Sequence, residues 1–150
     1  MIESVSATVD AAIVRRNSCK ALLITCSDFR FKSLERNFAL QLGLSDDYDL
    51  IARPGSIRSL VVPRNAAARD TLAEEVRMLW AAHGFTRIIA VNHISCRAYD
   101  DLATQANERD IHTGHLRRAR AVLDGLFAAT SAETYLAAIV DGVLAVQPVE

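Results

Sequence analysis

Only three cysteines occur in the 150 residues, Cys19, Cys26 and Cys96. The number is odd and too small for the disulfide framework of an exported mini-domain, so they read as thiols or metal ligands. An excess of one charge is also lacking: seventeen lysines and arginines face eighteen aspartates and glutamates, a formal net charge of -1. That balance excludes a broad electrostatic grip on nucleic acid or on an acidic membrane surface. No apolar run approaches the length of about eighteen residues that a membrane span needs; Tyr135 to Val140 is typical of the runs that occur. The first residues, with Glu3 and Asp10, lack the basic, apolar, small-residue order of a secretory signal, and the expected location is the cytoplasm. Repeats, low-complexity tracts and linkers are missing. Neither Gly-x-Gly-x-x-Gly nor a P-loop follows any candidate strand, which leaves nucleotide binding without support.

What is present is a chain built to fold. Apolar residues make up 51% and charged residues 23%, proportions that exclude disorder. At this length folding buries roughly 68–70% of the unfolded surface, enough for a core without staples. One domain over residues 1–150 is expected, opened by an N-terminal helical arm over 1–17 in which residues 8–17 read as a short amphipathic helix.

The run Ala21-Leu22-Leu23-Ile24-Thr25 suits a strand buried on both faces. Tyr48 to Ala52 is a second candidate, stopped by Arg53-Pro54-Gly55, and Arg87 to Asn92 a third, introduced by His83-Gly84. Between the second and third, Leu72, Val76, Leu79 and Trp80 share one helical stripe, which assigns Trp80 to the core. Residues 113–129 repeat the pattern through Leu116, Ala119, Leu123, Leu126 and Phe127. The tail, Tyr135 to Val140, Asp141-Gly142 and Val143 to Val146, reads as a hairpin on an Asp-Gly turn. The expected fold is α/β in three layers: a mostly parallel central sheet, helices on both faces, and a C-terminal antiparallel hairpin.

In open α/β sheets, ligands bind beyond the carboxyl ends of the strands. Past those ends lie Cys26, Asp28 and Arg30, then Arg53, then His93 and Cys96. The sequence His93-Ile94-Ser95-Cys96 suits two ligands on one tight turn, and Cys26 offers a third from another strand end. Two thiolates and an imidazole select a borderline-soft ion, Zn²⁺ before Mg²⁺ or Ca²⁺. Elsewhere the plainer readings are preferred. Cys19 is a small buried hydrophobe, His112 and His115 cap a helix or face solvent, and Arg117, Arg118 and Arg120 form a solvated helix face.

Cys26-Ser27-Asp28-Phe29-Arg30 resembles the Cys-x-Asp-x-Arg motif of β-class carbonic anhydrases, and His93-Ile94-Ser95-Cys96 resembles their His-x-x-Cys motif. The likeness covers residues 18–100 well and the tail loosely. It implies zinc held by Cys26, His93 and Cys96, and a catalytic carboxylate–guanidinium pair of Asp28 and Arg30. It also implies a homodimer or higher homo-oligomer with the N-terminal helix over its neighbour. The activity implied is reversible hydration of CO₂ to bicarbonate by a zinc-bound hydroxide. Two dispositions of Asp28 remain open: held by Arg30 it leaves the fourth position to water, and on the metal it closes the site. Hydrolysis of carbonyl sulfide, a non-catalytic closed zinc protein, and a thiol-based module using Cys26 and Cys96 are the alternatives. Three places depart from the family pattern. Arg97 stands where glycine is usual and could fill the pocket or hold an anion. Phe29 replaces a small residue and would narrow and dry the approach. Arg53-Pro54-Gly55-Ser56-Ile57 matches Arg-x-Ala-Gly only loosely.

Overall fold

In a computed structural model, which describes Ser4 and residues 6–150, five strands form one sheet. They are β1 (Ala21–Thr25), β2 (Tyr48–Ala52), β3 (Arg87–His93), β4 (Ser131–Val140) and β5 (Val143–Pro148). The helices are α1 (Ala11–Val14), α2 (Lys32–Gln41), α3 (Arg58–Val61), α4 (Ala66–His83) and α5 (Glu108–Leu126). Strand order is β2-β1-β3-β4-β5, parallel except for the β4–β5 pair. This is the expected α/β architecture. β1 is flanked by parallel neighbours on both edges and covered on both faces, which is why it reads as an unbroken apolar run.

Alternation along the strands divides the core in two. Leu22, Ile24, Ile88 and Ala90 face α3, α4 and α5 through Leu60, Leu72, Val76, Leu116 and Leu123. Leu23, Ile89 and Val91 face the other way, onto α2 through Leu34 and Phe38. Each such buried side chain contributes about 1.5–3 kcal/mol. The three layers hold β1 and β3 side by side, and that adjacency brings their carboxyl ends together.

Helix α4 is capped at both ends, by the expected His83-Gly84 stop and by an Asn65 cap. Asn65 Oδ1 accepts the Ala68 N–H at 2.9 Å, and Gly84 ends the helix at φ 59° with its N–H on the Trp80 carbonyl at 2.8 Å. Leu72 and Val76 are fully buried, but Trp80 is 40% exposed. The stripe is narrower than the sequence pattern suggests, and its last member lies at the rim rather than in the core. The arm differs more. Met1–Glu3 and Val5 lie outside the described residues, and of 8–17 only one turn, Ala11–Val14, is helical. Asp10 caps that turn and none of its residues is buried; a helix so short has no stability of its own without a packed face. Among the described residues, no helix is long and apolar enough to cross a membrane.

Candidate metal centre

Two adjacent strand ends supply the donors. β1 delivers Cys26 directly after Thr25, and its neighbour β3 ends on His93. Ser95 adopts a left-handed φ of 60°, which folds the chain back and returns Cys96 toward Cys26. Cys96 and His93 are both buried, and Cys26 is half-buried. The Cys26 and Cys96 sulfurs stand 3.8 Å apart, and the donor atoms of Cys26, His93 and Cys96 all lie within 4.8 Å of one another. Two sulfurs sharing one tetrahedral Zn²⁺ at about 2.3 Å each are themselves about 3.8 Å apart, so the thiols already have the required spacing.

The imidazole is a second test of fit. His93 Nδ1–H donates to the Ile94 carbonyl at 2.9 Å, which leaves Nε2 with the free lone pair. That Nε2 is buried and has no hydrogen-bond partner. An orphaned buried nitrogen is costly, and a bound ion would satisfy it. Phe31 stacks on the ring at 4.0 Å and 29°, restricting its rotation. The residues present fit a zinc ion.

Asp28 caps the 3₁₀ turn Phe29–Phe31, its Oδ1 accepting the Arg30 N–H at 2.9 Å. The Arg30 side chain then folds back onto the same carboxylate, with Nε on Oδ1 at 3.0 Å and Nη2 on Oδ2 at 2.6 Å. Nη2 also donates to the Ser95 carbonyl at 2.8 Å, tying the Cys26 segment to the Cys96 segment. Asp28 Oδ2 stands 3.8 Å from His93 Nε2, beside the three-donor cluster but not part of it. Hydrogen bonds from Arg30 pull the Asp28 carboxyl down to about 2, so it stays ionised at any working pH. The hydrogen bond shared by the two sulfurs holds Cys26 below the ordinary thiol range and pushes Cys96 above it.

Residues 16–141, a stretch spanning both motifs, match the model of the family described as "Putative carbonic anhydrase". The chain belongs to this carbonic anhydrase family. An uncharacterised protein of Rickettsia bellii (strain RML369-C) is 31% identical over 134 residues, 85% of this chain and 81% of that protein. Among solved structures, a carbonic anhydrase from Streptococcus mutans superposes with a TM-score of 0.58 at 18% identity, covering 97% of this chain and 87% of that one. A carbon disulfide hydrolase superposes with a TM-score of 0.54 at 12% identity, covering 87% and 79%. At such identities these likenesses establish the fold and leave the substrate to the site itself.

The surroundings show how this member of the carbonic anhydrase family departs from its pattern. Arg97, in place of the usual glycine, does not enter the metal centre: its side chain is 90% exposed. It lines a separate cleft of about 510 Å³ with Arg53, Arg58 and Arg64. Phe29 does not dry the approach either, because it points outward and is 81% exposed. Phe31, two residues on, is the aromatic ring against the site, and its place in the same turn was the available signal. Gly55 is demanded by close packing as well as by its φ of 77°: a Cβ there would meet both Ala98 Cβ and Arg58 Cβ at 3.2 Å. Buried Arg58 anchors the turn after Cys96 by donating to the Ala98 carbonyl and, at 2.8 and 2.7 Å, to Asp101.

His112 and His115, expected as caps or solvent-facing groups, are both buried. The cause is a polar network behind the metal centre. Asn92 Nδ2 donates to the Tyr99 hydroxyl at 3.0 Å and to His112 Nδ1 at 3.1 Å, and His115 Nδ1 lies 3.4 Å from that hydroxyl. Asn92, the polar residue inside an otherwise apolar strand, was the legible sign. Burial, then the charges of His93 and His115, lower His112 from 6.5 to about 4. The unfolded chain therefore binds a proton between about pH 6.5 and 4 that the fold refuses. His112 contributes fully above about pH 6.5, and that contribution, about 3 kcal/mol, is lost as pH falls to about 4. Thermal unfolding of metal-free protein across this window should show the loss, and His112→Gln should flatten it; parallel profiles would contradict the assignment.

Proposed function

We propose that the protein is a zinc-dependent carbonate dehydratase interconverting carbon dioxide and bicarbonate at Cys26, His93 and Cys96. The observation that carries this reading is the grip of Arg30 on Asp28. A carboxylate held by a guanidinium fork through charge-assisted bonds is withheld from the three-donor cluster, so Cys26, His93 and Cys96 would hold the ion and solvent would complete its shell. Zn²⁺ bound there supplies Lewis acidity that makes water a nucleophile, although two thiolates cancel the ion's charge and make that water less acidic than at an all-histidine site, where its pKa is about 7.

The chain's own groups do the rest. Once the water has given its proton to solvent, ionised Asp28 would accept a hydrogen bond from the remaining O–H and aim the oxygen lone pair at the carbon of CO₂, forming the C–O bond of bicarbonate. Arg30 fixes the carboxylate's orientation and, through the Ser95 carbonyl, fixes the Cys96 turn relative to it. Phe31 shields the His93 ring from bulk water. Because the water is weakly acidic and Asp28 is already ionised, CO₂ hydration should rise from about pH 6.5 to about 9. Stopped-flow assay of zinc-loaded protein measures it, and a flat profile would contradict this account.

Hydrolysis of carbonyl sulfide at the same centre is the other enzyme reading. With Phe29 turned outward, no side chain here favours it, and supplying carbonyl sulfide in the same assay tests it. A closed, non-catalytic centre would require Asp28 to leave Arg30. The proposal extends to one domain over residues 1–150, acting in the cytoplasm as a homodimer or larger homo-oligomer, which light scattering on purified protein checks.

A further inference from the structure

At the opposite end of the sheet a second set of donors converges. Cys19 precedes β1, Asp49 is the second residue of β2, and His83 is the last residue of α4. Their donor atoms all lie within 4.8 Å of one another, the same convergence that the first centre shows. Backbone contacts hold this arrangement in place. The Cys19 N–H donates to the His83 carbonyl at 3.2 Å, and Lys20 N–H to the Asp47 carbonyl at 3.1 Å. The β1–β2 register sets Leu22 beside Asp49. His83 Nδ1 meets Asp49 Oδ2 at 2.7 Å, and all three residues are half-buried.

The geometry points to a second metal site at Cys19, Asp49 and His83, taking a borderline-soft divalent ion of the Zn²⁺ class. The donor set is the reason: thiolate, imidazole and one carboxylate oxygen are zinc ligands, whereas Mg²⁺ and Ca²⁺ favour shells of oxygen. The three open onto a cleft of about 150 Å³, which leaves solvent to complete the shell. Charge permits it as well. A thiolate and a carboxylate neutralise the ion, while the nearby Asp47 is already matched by Arg16 at 3.0 Å and Lys20 at 3.6 Å. A reactive-cysteine role fits less well, since burial and then Asp49 push the Cys19 thiol up to about 11, where little nucleophilic thiolate exists at neutral pH. An ion here would staple the segment before β1 to the end of α4, roughly 20 Å from the first centre along β1. This site is independent of the proposed activity.

The test is zinc content per chain after dialysis against dilute free Zn²⁺, measured by mass spectrometry on the parent, Cys19→Ser, His83→Gln and Cys96→Ser. The expected count is two ions in the parent and one in each variant. Cobalt substitution should show a thiolate charge-transfer band in Cys96→Ser that Cys19→Ser/Cys96→Ser lacks. CO₂ hydration by Cys19→Ser should equal that of the parent. One ion in the parent, retained in both Cys19→Ser and His83→Gln, would overturn the inference. One ion lost in those two variants but kept in Cys96→Ser would uphold this site and instead remove the proposed function. His83 is 41% exposed, so His83→Gln gives the count even where Cys19→Ser fails to fold.

Discussion

Cys96→Ser will lose the strand-end zinc, and CO₂ hydration will fall to the uncatalysed rate. A neutral serine hydroxyl is a far weaker zinc donor than a thiolate. Apparent binding energies for structural zinc are about 10–16 kcal/mol, so one of three protein ligands carries several kcal/mol, about 10²–10⁴-fold in affinity. The loss should also show in the thermal midpoint, because an ion that binds only the folded chain stabilises it by mass action. Excess zinc should raise the midpoint of the parent, and in Cys96→Ser it should raise it less. The substitution itself is small, one sulfur for one oxygen, and Cys96 makes no side-chain cap to the turn Arg97–Tyr99 that follows it. A Cys96→Ser protein hydrating CO₂ as fast as the parent would remove the centre from the reaction. A rate that collapses while zinc stays bound would point to a role for Cys96 other than ligation.

The strands that sequence reading finds are those with a local mark of their own, an unbroken apolar run in β1 and a sharp stop after the half-exposed edge strand β2. Ala21–Thr25 and Tyr48–Ala52 fall where expected because burial on two sides, or a Pro-Gly stop, leaves a local imprint. β4 begins at Ser131, four residues before the expected Tyr135, and nothing apolar marks that start. Ser131 to Thr134 are strand because β3 pairs with them, with Arg87 and Glu133 joined at 2.7 Å. A partner so distant along the chain leaves no signal in the segment itself. Helix α5 likewise begins at Glu108 rather than at 113. Its first turn carries Glu108 and Asp110, acidic residues that suit a helix N-terminus, but the apolar stripe starts only at Leu116.

The site was more legible than its surroundings. Motif spacing named five residues that the fold does bring to one corner. Phe31 escaped because its role depends on which face it takes in the turn after β1, and the Asn92–Tyr99–His112 network escaped because it joins β3 to the segment after Cys96 and to α5, elements that only the tertiary fold brings together. Cys19 escaped for the same reason. A lone half-apolar residue reads as packing until β2 and the end of α4 set Asp49 and His83 beside it.

Arg30→Ala should keep zinc at the strand-end centre and lose at least about 10² in kcat. Two physical effects act together. Asp28 loses the fork that holds it, and its carboxyl returns from about 2 toward the ordinary carboxylate value. The freed carboxylate, already 3.8 Å from His93 Nε2, is then attracted to the cation and competes with water for the fourth position. The Ser95 carbonyl also loses its donor, loosening the turn that returns Cys96. Removing a group that positions a metal-site residue costs about 10–100-fold, and a carboxylate that displaces water from the ion would remove the nucleophile as well. X-ray absorption on the zinc-loaded variant should show a carboxylate oxygen bound to zinc in place of exchangeable water, and inhibitory anions should bind more weakly. Arg30→Lys keeps the charge without the fork and should fall between parent and alanine variant. Were Arg30→Ala to turn over at the parent rate with water still on the metal, the Asp28–Arg30 contact would be an ordinary surface pair, worth about 1 kcal/mol or less, and the open centre would need another explanation.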